Sequence, residues 1–151
     1  STGIDSYPFD VRKLDEDLKQ IKRKYHFIII DSPPSITYDT IQIIKSSDKV
    51  FVPVQPSPLD LMATVPFLNL VKQERKKSTV ILNRVMPRAK LTDAMIIRLR
   101  YAGAKIARSR ISGRIIYAET FSVGRGVVDI SVTSEASKEI IKVGNEILRN
   151  F

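Results

Sequence analysis

Asp31 closes a fully apolar run, Phe27-Ile28-Ile29-Ile30, and the chain leaves it through Ser32-Pro33-Pro34. Proline fixes its own φ and biases the residue before it toward an extended backbone, so the exit is rigid. A carboxylate at the mouth of a buried strand can hold Mg²⁺ through its water shell while the metal bridges phosphate oxygens. The alternative reading is a turn or helix cap. Two more junctions have the same form. Val50-Phe-Val-Pro-Val runs into Gln55-Pro56-Ser57-Pro58-Leu59-Asp60, and Val80-Ile-Leu runs into Asn83-Arg84. In open α/β sheets ligands bind beyond the carboxyl ends of the strands, so these are the residues to watch. Asn83 as a plain turn residue, and the prolines as simple loop stiffeners, are the competing readings.

The elements that position these residues follow from periodicity. Leu14, Leu18, Ile21 and Tyr25 recur at three and four, which predicts an amphipathic helix over Asp10–Tyr25 with Asp10 as N-cap. Phe27–Ile30, Lys49–Val54 and Thr79–Leu82 read as short buried parallel strands, and Lys105–Ala107 as a fourth. Helices are expected over Tyr38–Ser46, over Leu59–Lys76 with Pro66 kinking or splitting it, over Leu91–Ala102 closed by Gly103, and over Ser134–Arg149. Strands alternating with helices make this an α/β chain with a doubly wound, mostly parallel sheet and flanking helices. No repeat or linker divides residues 1–151, which read as a single domain.

Composition narrows the chemistry. With 151 residues, 43% hydrophobic and 27% charged, the chain is an ordinary globular one. The absence of cysteine excludes a disulfide scaffold, a thiolate metal site and a cysteine nucleophile, and the lone His26 is assigned no role. No apolar stretch approaches a bilayer span, so the sequence reads as cytoplasmic by elimination. The net charge of +9 is not evenly spread: residues 84–125 hold ten of the 25 basic and only two of the 16 acidic side chains. That concentration points to a localised anionic partner such as nucleic acid, against the alternative of a solvated basic face.

The ordered set YHFIIIDSPPS, SSDKVFVPVQPSPLDL and VILNRV, followed by ISGRIIYAETFSVGRGVVD and a terminal helix containing Glu139, resembles the ParA/MinD family of deviant Walker ATPases, nearest to its short, ParF-like plasmid-partition type. The likeness covers nearly the whole chain and implies a P-loop NTPase-like fold. It implies an ATP- and Mg²⁺-dependent dimer that binds DNA nonspecifically, associates with the nucleoid and is stimulated by a centromere-binding, ParB-type partner. On the resemblance, Asp31 matches the Walker B acid, and Asn83 and Arg84 match positions facing the adenine, where an amide offers both donor and acceptor. Gln55, Pro56, Ser57 and Asp60 match a loop near the nucleotide and the dimer interface.

One departure is large. The family's phosphate loop, KGGxxKT, does not occur, nor does GxxxxGK[ST], and the Gly124-Arg125-Gly126 pair follows no strand and carries no Lys before Ser or Thr. The first strand and phosphate loop of the fold are therefore expected to be absent, with no catalytic residue in this chain alone, no tightly bound cofactor and no ATP hydrolysis. Either the chain is the C-terminal two-thirds of a ParA-type ATPase domain, with Phe27–Ile30 left beside an unpaired edge that self-association would cover, or it is a paralogue without a phosphate loop that acts as a DNA-binding or scaffold protein. A membrane-associated, MinD-like role is disfavoured, because the closing helix has an apolar stripe but no basic face. DNA contacts are expected at Arg88, Lys90, Arg98, Arg100, Arg108, Arg110 and Arg114, along a duplex rather than by base stacking.

Overall fold

A computed structural model describes residues 5–33, 35–86 and 90–149. The Asp10 carboxylate accepts from the Arg12 amide at 3.0 Å and starts a 3₁₀ turn, Val11–Lys13, that runs into α1, Leu14–Ile21. The helical segment is shorter than its periodicity suggests, since Tyr25 falls beyond the turn that ends it. α2 spans Tyr38–Ser46, capped by Thr37, and β1 spans Lys49–Val54, both as expected. α3 (Pro58–Gln73), β2 (Lys77–Val85), α4 (Lys90–Tyr101) and β3 (Ile106–Ser112) follow, and α7 (Glu135–Leu148) closes the chain. α4 ends at Gly103, whose φ of +81° suits a residue without a Cβ.

The sheet is three-stranded and parallel in the order β1-β2-β3. Alternation along the strands gives it two packed faces. Val54, Val80 and Leu82 meet Leu68 of α3 and Met95, Ile96 and Leu99 of α4. Ile81 and Ala107 meet Val143 of α7, with Phe51, Ile111 and Ile147 beside them. α7 is thus a core-packed helix, and no helix among the described residues is long and apolar enough to cross a membrane.

Three expectations need correction. Phe27–Ile30 forms no strand and joins no sheet. A strand needs a paired neighbour; here Ile28 and Ile30 instead pack against Leu14, Leu18 and Ile43 of α1 and α2, leaving Ile29 92% and Phe27 53% exposed. Pro66 does not split α3, which is continuous: both Pro66 and Met62 are exposed, where a carbonyl deprived of its amide donor can bond water. β3 is longer than Lys105–Ala107. It carries register shifts against β2, stabilised by Glu146 of α7, whose carboxylate accepts from the successive Arg108 and Ser109 amides at 2.8 Å each. Two helices, α5 (Ile115–Ser122) and α6 (Val127–Ile130), were not legible in the sequence. Ile115 and Phe121 point outward, so α5 has no clean apolar stripe to find.

Candidate functional site

The carboxyl edge of the sheet gathers two of the three junctions. Val54 and Leu82 are the last register partners of β1 and β2; Gln55 follows as the chain leaves β1, and Asn83 follows Leu82 within β2. The Gln55–Asp60 loop is locked by its own polar groups. Ser57 caps α3 by accepting from the Asp60 amide at 3.0 Å and donates to Asp60 Oδ1 at 2.8 Å, while the Gln55 amide donates to Asp60 Oδ2 at 2.9 Å. Ser57 and Asp60 therefore shape the loop, and Pro56 stiffens it. The Gln55 side chain is exposed.

Asn83 is half-buried, and its Oδ1 accepts from the Arg84 amide at 2.9 Å. Arg84 has φ of +52°, a left-handed backbone that costs a non-glycine residue about 1 kcal/mol or more. The Asn83 contact fixes this bend and leaves the amide group's two N–H donors and one oxygen lone pair for another partner. β3 closes in from the other side. The Gly113 amide donates to the Val85 carbonyl at 3.0 Å, and a methyl at Gly113 would lie 3.2 Å from Met86 Sδ and 3.5 Å from the Arg84 carbonyl oxygen.

Behind this edge, Glu139 of α7 is a junction for β3 and α5. It accepts from the Ser112 amide at 3.0 Å, the Ser112 hydroxyl at 2.8 Å, Arg114 Nη2 at 2.9 Å and the Tyr117 hydroxyl at 2.9 Å. Burial pushes its carboxyl up, but Arg114, both Ser112 donors and Tyr117 outweigh that and hold it at about 2. Burial and the same carboxylate push Tyr117 up to about 12. From sequence, Glu139 is legible only as part of the closing helix, because its partners are 22 to 27 positions away.

Asp31 is exposed and follows Ile30 on the α1/α2 side. Among the described residues it makes no hydrogen bond or ion pair with the Gln55–Asp60 loop or with Asn83. Of the basic residues, Lys90, Arg98, Arg100, Arg108 and Arg110 are exposed; Arg114 is held by Glu139, and Arg88 lies outside the described residues. Arg98 and Arg100 flank the buried Leu99 and leave the helix about 200° apart, so they do not share one stripe. Arg108 and Arg110 lie on β3, in the stretch where its register against β2 shifts. The cations thus spread around α4 and along β3.

A profile of the AAA domain family matches residues 6–84, just over half of the chain. The chain belongs to the ParA/MinD family of deviant Walker ATPases. Among ParA/MinD relatives, it is 28% identical over 140 residues to the maintenance of carboxysome distribution protein A of Halothiobacillus neapolitanus, covering 88% of this chain and 65% of that protein. It is 26% identical over 146 residues to the sporulation initiation inhibitor protein Soj of Bacillus subtilis, covering 91% of this chain and 58% of Soj. In fold it matches the cell division ATPase MinD of Pyrococcus furiosus with a TM-score of 0.78 at 23% identity, over 94% of this chain and 60% of that one. The chain therefore spans about three-fifths of the length of these relatives.

The described residues present no phosphate-binding loop at this edge. Asn83 offers a donor and acceptor edge, whereas the two glycines with positive φ, Gly103 and Gly124, stand at the C-terminal ends of α4 and α5, where the helix dipole disfavours an anion. For the metal, the described residues contain no group of three His, Cys, Asp or Glu side chains that could hold an ion. The expected outcome for these 151 residues is phosphate release from Mg-ATP at the uncatalysed background rate. A colorimetric phosphate assay checks it, and turnover lost in Asp31→Asn would overturn it.

Proposed function

We propose that this chain works in DNA segregation as part of a ParA-type ATPase. On this reading ATP lies beyond the carboxyl edge of the sheet, with Asn83 and Arg84 at the adenine, Gln55, Pro56, Ser57 and Asp60 close to the nucleotide and the dimer interface, and Asp31 as the Walker B acid acting on Mg²⁺ through water. The observation that supports it is that Gln55 and Asn83 directly follow the register partners Val54 and Leu82 at that edge, in a chain of this family. A dimer of the chain binds duplex DNA without sequence preference and is stimulated by a centromere-binding, ParB-type protein. Phosphoryl transfer needs a phosphate-binding loop, which the 151 residues do not carry. That lack favours a second reading, in which the chain binds DNA or partners as a scaffold without ATPase activity.

Both readings put duplex DNA on Lys90, Arg98, Arg100, Arg108 and Arg110. If about four phosphates are engaged, log affinity should fall with log salt at a slope of roughly −3.6, and Arg100→Gln should weaken unrelated duplexes alike while reducing that slope by about 0.9. Arg114→Gln should leave the slope unchanged, because its guanidinium is committed to Glu139. Fluorescence anisotropy on two unrelated duplexes at several salt concentrations is the measurement. Salt-independent binding, strong discrimination between the duplexes, or no binding by the folded chain would defeat the proposal.

A further inference from the structure

The opposite, amino edge of the sheet carries a concave basic surface. Lys49 and Lys77 are the first residues of β1 and β2, and Lys105 immediately precedes β3. Lys72, from the last turn of α3, and Lys76, from the turn after it, join them around an open cavity of about 320 Å³. Leu68, Asn69 and Ala104 also line it, with no carboxylate among the described residues of its lining.

This arrangement is costly to the fold. Lys49 and Lys77 are directly opposite in the β1–β2 register, and like charges so placed destabilise a strand pair. Burial, and then Lys105 and Lys77, hold Lys49 below the ordinary lysine range. Protection of a sheet edge does not account for it, because Lys77 begins the central strand. Local contacts use part of the set: Lys76 Nζ donates to the Ser47 carbonyl at 2.8 Å, and Lys49 Nζ lies 5.4 Å from the Phe51 ring centre. The Lys72 and Lys77 side chains are exposed at the rim.

We propose that this cavity binds a compact anion carrying two or more phosphates. Its volume lies at the small end of ligand sites, about 300 to 1,000 Å³. A cavity of this size can enclose a compact anion, whereas a duplex could only lie across its mouth. The site is distinct from the carboxyl edge: five register steps, about 17 Å of strand, separate the Lys49 pair from the Val54 pair.

The test is isothermal titration of the chain with tripolyphosphate at low salt and without Mg²⁺. Saturable one-to-one binding is expected, weakened about tenfold in Lys72→Gln/Lys77→Gln and within about twofold of the parent in the charge-matched Arg23→Gln/Lys24→Gln. All four positions are exposed, so the variants keep the core intact. Equal weakening in both double variants, or heats that never saturate, would show only diffuse charge and overturn the site. So would loss of affinity for a short duplex in Lys72→Gln/Lys77→Gln with tripolyphosphate binding unchanged, which would make this face a nucleic-acid surface.

Discussion

Glu139→Ala is expected to lower the stability of the fold by about 3 kcal/mol. The carboxylate accepts four hydrogen bonds, and its side chain is only 18% exposed. Its removal strands the part-buried Ser112 amide and hydroxyl and frees the Arg114 guanidinium, while the Tyr117 hydroxyl keeps only the Ala136 carbonyl at 3.2 Å, and a buried donor without an acceptor costs more than the bond was worth. Denaturant unfolding monitored by circular dichroism measures it. Glu139→Gln keeps the shape but offers one acceptor oxygen in place of two, so its cost should fall between those of the parent and the alanine variant. A loss below about 0.5 kcal/mol in Glu139→Ala would mean that α7 is held on β3 by apolar packing alone.

The same group sets an acid limit. Its folded carboxyl sits at about 2 against an ordinary value of 4.5, so the unfolded chain binds the proton more readily. A depressed carboxyl contributes stability that is fully present above its unfolded value and is lost as pH falls toward its folded value. The window for Glu139 therefore runs from about 4.5 down to about 2, with about 2 to 3 kcal/mol at stake across it. Unfolding midpoints for the parent should fall through this range, and those of Glu139→Ala should fall less by that amount.

What the sequence disclosed depended on how local the signal was. Lys49–Val54 and Tyr38–Ser46 were legible to the residue, because a β-branched run and a three-four repeat are each written within one element. Phe27–Ile30 has the composition of a buried strand, but composition does not supply a neighbour, and Ile28 and Ile30 pack against α1 and α2 instead. The register that sets Val54 beside Leu82 was legible only as two separate strand ends, since register is set by the sheet. The charge count singled out residues 84–125 and passed over the amino edge, whose Lys49, Lys72, Lys76 and Lys77 lie where nearby acids balance the total. Glu139 and Glu146 were invisible for a related reason. Each reads as a solvated helix acid until the fold sets β3 amides against it.

Leu82→Ala should cost about 3 to 4 kcal/mol and should disturb the carboxyl edge along with the core. Leu82 is 0% exposed at the middle of the sheet, packed among Val54, Val80, Leu68, Met95 and Leu99. Alanine forfeits the transfer energy of the lost methyl and methylene groups, and it leaves a cavity that the parallel strands on either side cannot close. The position has a second consequence. Leu82 pairs with Val54, and the residues that follow them are Asn83 and Gln55, so the packing that seats Leu82 also fixes where these two polar residues begin. Urea unfolding gives the stability change, and an unchanged dependence on urea would show that the denatured state is not responsible. Leu82→Met, which keeps the volume, should cost less than about 1.5 kcal/mol. If Leu82→Ala costs no more than Leu82→Met, β2 does not anchor this core, and the carboxyl edge owes its geometry to the loops beyond it.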